Sequence, residues 1–376
     1  MALLNEIGNV FTKVRIDEDS AILAQTGVVS DRRLRCIRLW NLIEPFAVYG
    51  LIMLVVWTSM LDMKLWWVRP SLGALLVWTL VISPCIHYPF ERDIFLTDAQ
   101  KRLGFFFYFF ECRGLGSPLR YYLPMHGEKP YAIKYWKTVL TALLLTNILF
   151  FCAMIEFNKE IIERYHEHMT TPAQAVLFRI GLLLAIDAAL LFVIFPFMLR
   201  LDNFWKSLPF MLAFLFLIAA MAISANLLFQ ANEPALREAF KENPYMSLRG
   251  PTAHDRLAQI TITGIGGQWS GYVFWGFLQQ LLFLGVFSVQ FCRAFDVGRS
   301  RLQLILACLC SATLFGLIHI PNFWLSLITF TGGSFGSLYA MQCRNLFTRG
   351  VVHGFGGTLF NKLLPINFSV GPSQVR

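Results

Sequence analysis

The sequence predicts an all-α polytopic membrane protein with about eight or nine transmembrane helices. Its 376 residues are 56% hydrophobic and only 15% charged, whereas soluble chains run near 45–50% apolar and about 25% charged. The excess has to face something other than water. The apolar residues also gather into stretches of about 20, the length that a helix rising 1.5 Å per residue needs to cross hydrocarbon. A mean hydropathy of +0.56 agrees, and the composition excludes disordered, collagen-like and disulfide-scaffold classes.

The chain opens on a basic N-terminal arm, residues 1–38, that ends in Arg32, Arg33, Arg35 and Arg38. Glu6, Lys13 and Arg15 interrupt its apolar residues, so no cleavable signal peptide is expected. Apolar stretches then fall at 39–61, 71–90, 138–157, 176–199, 207–230, 269–292, 302–320, 322–341 and 346–364. Pro84 and Pro89 interrupt the second. The last holds Arg349, His353 and four glycines, a content that suits a helix inside a bundle better than one facing lipid. Within 91–137, FFFYFF at 105–110 lies between Arg102 and Arg113. It is too short to cross and flanked by charge, which fits an interfacial or re-entrant segment, or an amphipathic connector packed on the bundle. The reading is thus an arm (1–38), an N-terminal transmembrane region (39–258) and a C-terminal bundle (259–376).

Twenty of the 32 Lys and Arg residues fall in the N-terminal arm and in the loops on its side of this arrangement. That bias places the N-terminus in the cytoplasm. No Lys/Arg run is interleaved with stacking aromatics, so the +9 net charge is assigned to topology and anionic headgroups rather than nucleic acid. The eight cysteines form no CxxC pair and read as small apolar residues.

Strong hydrogen-bonding groups at membrane depth face the bundle interior and need partners. The candidates are Glu44, Asp187, Asn226, Gln279, Gln280, His319, Gln342, His353 and Asn361. Six of these nine lie in the last hundred residues, which predicts a polar cavity in the C-terminal half and a packing role for the N-terminal half. Asp187 reads as a helix-to-helix hydrogen bond ahead of an ion relay. Glu44, one turn inside the first stretch, reads as interfacial.

The C-terminal third contains GFLQQLLFLGVF (276–287), LFGLIHIPNFW (314–324) and GSFGSLYAMQCRNLFTRGVVHGFGGT (333–358). It resembles the CPBP family of intramembrane proteins, also called the Abi or type II CAAX-protease family, over about residues 265–365. Members carry EExxxR, FxxxH and HxxxN on neighbouring helices. Here Phe315 and His319 keep the second motif. His353 keeps the head of the third, with Gly357 at the asparagine. In the first, Gln279 and Gln280 replace both glutamates and Leu284 replaces the arginine.

The resemblance implies a helical bundle in which the first glutamate activates a water for attack on a peptide bond, while the histidines and asparagine hold that water and the oxyanion. Glutamine has no protonation equilibrium near neutral pH and cannot take the proton. General-base catalysis is worth roughly 10²–10⁴ in rate, so the substitution closes that route. The motif positions Gln279, Gln280, His319 and His353 are carried forward as the site, with Phe315, Leu284, Gly357 and Asn322 lining its cavity. The two amides are expected to hydrogen-bond both histidines. No cofactor or metal is expected, because no third ligand accompanies the histidine pair.

Two functions follow. One is a non-proteolytic relative that binds another integral membrane protein or a lipid-like ligand, with Gly350, Gly354, Gly356 and Gly357 open either to a partner helix or to packing within the chain. The other is an endopeptidase that cuts a lipid-anchored substrate with a rewired histidine site. A transporter draws only on Asp187 and Asn226.

Overall fold

The computed structural model describes residues 31–60, 66–96, 101–102, 104–109, 129–156, 171–195, 204–239, 251–295, 300–320, 322–343 and 346–365. All regular structure among them is helical. The order is α1 (Asp31–Met60), α2 (Val68–Val77) running through π-helical Trp78–Ile82 into α3 (Ser83–Phe95), then the short α4 (Gly104–Phe107) and α5 (Tyr131–Lys134). Next come α6 (Trp136–Glu156), α7 (Pro172–Ala189) with a π-helical extension Leu190–Ile194, α8 (Phe204–Ala239) and α9 (Ala253–Ala258). The C-terminal part is α10 (Ile262–Gln280) continuing through π-helical Leu281–Phe287 into α11 (Ser288–Phe295), then α12 (Arg301–Leu317), α13 (Phe323–Cys343) and α14 (Leu346–Leu363).

The described residues of each of the nine predicted apolar stretches are mostly helical. Among the described residues, length and composition single out two that can cross a membrane unaided, Arg32–Thr58 and Phe204–Ala239. The helix starts carry ordinary caps. Thr171 and Gln174 form a reciprocal capping box with Pro172 in the first turn, and Ser300 Oγ accepts from the Gln303 N–H at the head of α12, satisfying donors that a helix leaves orphaned. Two expected boundaries move. α1 begins at Asp31, so the four arginines assigned to the arm belong to the first helix, and Arg33 donates to the Pro89 and Phe90 carbonyls. In the 91–137 segment, Tyr108 is fully buried and Phe105 packs against Tyr88, so this part of the aromatic run is seated on the bundle. Residues 111–128, like most of the arm and the acidic stretch 157–168, lie outside the described residues.

The N-terminal helices pack directly on the C-terminal ones. α6 lies along α10, α1 along α11 and α8 along α14. One apolar cluster joins Val139, Phe195, Phe204 and Met211 to Val273, Phe277, Phe347 and Val351. A second joins Val48 and Tyr49 to Phe283, Phe287, Phe291 and Phe315. Glycine lets α10 and α14 come together closely. A Cβ at Gly354 would stand 2.8 Å from the Val273 backbone, and one at Gly276 would stand 3.3 Å from the Gly350 carbonyl oxygen. Gly350 and Gly357 likewise face Phe277 and Tyr272 of α10. Three of the four glycines weighed for a partner helix are therefore spent on packing within the chain; Gly356 meets only Ile218 of α8, at 3.7 Å.

Asn226 is the rivet at the other end of α14. It is fully buried, and its Nδ2 donates to the carbonyls of Ala253 and Leu363 at 2.8 and 2.6 Å. Its Oδ1 accepts from Gln230. Asp187 is different: its Oδ1 is buried without a hydrogen-bond partner, so the expected helix-to-helix bond is not found at that atom.

Candidate functional site in the C-terminal bundle

Gln279 is the last residue but one of α10, His353 sits mid-way along α14, and the close packing of these helices through Gly276 brings them together. His353 Nε2 and Gln279 Oε1 lie 2.9 Å apart, the ring N–H donating to the amide oxygen. The His353 ring also borders Gly276, where a Cβ would stand 2.9 Å from its Cδ2. Phe315 of α12 presents an edge to both histidines, its ring centroid 5.4 Å from His353 and 6.1 Å from His319. His319 follows the last turn of α12, and its N–H bonds back to the Gly316 carbonyl. Gln279, Phe315, His319 and His353, contributed by three chain segments, thus surround one point.

The second expected amide–histidine pair does not form. His319 Nδ1 is buried without a hydrogen-bond partner, and so is Oε1 of Gln280, a residue only 2% exposed. Asn322 is a helix cap: its Oδ1 accepts from the Leu325 N–H at 3.0 Å, which commits that atom to the start of α13. Leu284 falls in the π-helical stretch that follows Gln280; its side chain lies outside the described ones. That widened stretch is itself notable, since such turns recur beside functional sites. At the third motif the volume an asparagine would need is taken. A Cβ on Gly357 would lie 2.7 Å from Tyr272 Cε1, so the Tyr272 ring stands where the family's asparagine would begin.

Among the described residues no group of three His, Cys, Asp or Glu side chains is arranged to hold a metal ion. The site offers two imidazoles, two amides and an aromatic wall. It can orient and hydrogen-bond a polar group, but the position from which a carboxylate would accept a proton holds an amide.

The family model described as type II CAAX prenyl endopeptidase Rce1-like matches residues 261–358, the span from the start of α10 to one residue past Gly357. Residues 261–358 belong to the CPBP family. The matched region is about a quarter of the chain. No curated relative and no solved structure matches it. The CPBP match runs through all three motif helices, so the altered positions lie inside the matched segment.

A second polar cluster lies outside that match for most of its members, and the sequence reading missed it. Glu44 is 8% exposed and turned into the bundle. Its Oε2 lies 2.8 Å from His87 Nε2 and accepts from Gln290 at 2.7 Å, and its Oε1 accepts from Trp78. His87 Nδ1 lies 2.8 Å from Glu91 Oε1, and Glu91 also accepts from Asn41, Tyr108 and Arg293. Both imidazole nitrogens thus face carboxylate oxygens, and the Arg293 guanidinium meets Glu91. His87 and Glu91 stand four apart on one helix face, a spacing present in SPCIHYPFERDIF that the expected boundary at residue 90 divides. Within the N-terminal half, α1 and α3 supply both carboxylates.

Proposed function

We propose that this protein is a multi-pass, non-proteolytic member of the CPBP family that uses the bundle to bind another membrane protein or a lipid-like ligand, with its N-terminus in the cytoplasm. The observation that carries this reading is the Gln279–His353 hydrogen bond. The imidazole nitrogen facing the site is held by an amide that cannot accept a water's proton. Tyr272 against Gly357 supports it, because the space for an oxyanion-binding asparagine is filled. The multi-pass reading draws on large apolar side chains exposed along several helices, including Leu54, Leu177, Phe192, Phe216, Leu228, Leu302 and Phe323. A soluble monomer rarely exposes a contiguous apolar surface of that kind.

The test is a cleavage assay on the purified full chain with a prenylated CAAX-type peptide reporter. The expected rate equals that of a His319→Ala/His353→Ala double variant. Cleavage well above that background would establish a histidine-based peptidase and end the non-proteolytic reading.

A further inference from the structure

Arg349 precedes His353 by one turn of α14 and is the one unexplained cation near the site. Its guanidinium lies against Gly336 of α13, in the space that a Cβ there would take. Its Nε is buried and has no hydrogen-bond partner, and among the described residues no carboxylate pairs with it. Arg349 and His319 are both close enough to act electrostatically on His353. Gln279 and Gln280 stand where the family has glutamates, so those motif positions supply no carboxylate. A guanidinium stays protonated inside proteins, and one left unpaired at membrane depth is costly. The fold nonetheless makes room for it with a glycine.

The surroundings say how a counter-charge would reach it. One turn before Gly336 on the same face of α13, Gly332 is exposed, and a Cβ there would meet nothing within 4 Å. The outer surface of α13 around that opening is apolar, with Phe323, Leu327, Ile328 and Phe335 exposed. Gln280 Oε1 and His319 Nδ1 are buried and unpartnered as well. Gly332 thus leaves the apolar surface of α13 open one turn along the helix from the place where the guanidinium lies.

We propose that Arg349 is the counter-charge for a monoanionic oxygen group, carboxylate or phosphodiester, carried on an apolar chain that lies beside Gly332. The proposal rests on the ligand-binding reading above and names the chemistry of that ligand. One fixed positive charge matches one negative charge, and the planar guanidinium fork suits either oxygen group.

The experiment uses the purified full chain in a neutral detergent and follows thermal stability and native mass spectra. The probes are palmitate and phosphatidylglycerol, with hexadecanol and diacylglycerol as uncharged controls. Palmitate or phosphatidylglycerol should stabilise the wild type and remain bound, at least tenfold tighter than the controls; which of the two does so identifies the source of the anion. Arg349→Gln should fold, since it removes an unpaired cation, and should lose the anionic probe by tenfold or more. Arg349→Lys, which keeps the charge without the fork, should fall between. If the uncharged probes bind as tightly as the anionic ones, the charge assignment is overturned while a lipid-binding role stands. If Arg349→Gln keeps its affinity within twofold, or if no probe binds the wild type, the proposal fails. Peptide cleavage is a separate readout, so failure here is distinguishable from failure of the non-proteolytic reading.

Discussion

Substituting Gln279 by Glu places an ionisable group within hydrogen-bond reach of His353 Nε2, yet it does not rebuild a protease site. Leu284 still stands at the family's arginine, and Tyr272 still fills the space beside Gly357. Gln279→Glu alone is therefore expected to leave peptide cleavage at background in a reporter assay; strong activity from this single change would contradict the account of the defect. Gly357→Asn should lower the melting temperature, because its Cβ must push the Tyr272 ring aside, and a Tyr272→Ala background should relieve much of that loss. Equal destabilisation in both backgrounds would place the clash elsewhere. Asn226→Ala should cost more: it strips the donor from two carbonyls in a buried setting, at ~1–3 kcal/mol for each polar group left unsatisfied, readable as reduced thermal stability in detergent.

At the scale of elements, the cluster around Glu44, His87, Glu91 and Arg293 ties α1 and α3 to α11. Removing one partner of a buried ion pair strands the other charge, at about 3–5 kcal/mol, whereas removing both together costs far less. Glu91→Gln and Arg293→Met should each destabilise the chain strongly, and the double variant should cost less than the sum of the two. Additive losses would show that the two side chains do not act as a pair. The helices themselves were legible in the sequence because long apolar runs leave few alternatives. Their polar seams were less so. Glu44 and Arg293 sit near the ends of apolar stretches, where a charge is equally at home facing water, and only the packing of α1 against α11 shows that both turn inward. Gly350 and Gly354 posed the complementary problem. Small residues permit close approach, but the sequence does not say which helix approaches; the structure supplies α10.

For the whole molecule, the order and spacing of three short motifs were enough to read the C-terminal bundle, and the matched segment 261–358 falls on it. The arrangement of the preceding region was not legible, because composition marks helices as apolar without saying what they pack against. The N-terminal helices pack along the CPBP-like segment, sharing its two main apolar clusters, so the C-terminal segment expressed without residues 1–258 should fail to fold. The arginines at the start of α1 predict a cytoplasmic N-terminus, and an N-terminal epitope tag should become accessible only when the cytoplasmic face is opened.

The central claim is that the bundle binds without cutting. It is tested most directly by purifying wild type and the His319→Ala/His353→Ala variant gently from native membranes and reading, by mass spectrometry, what accompanies each and where those proteins end. The account predicts companions whose termini are the same in both samples. A companion that is truncated with wild type and full length with the variant would contradict it.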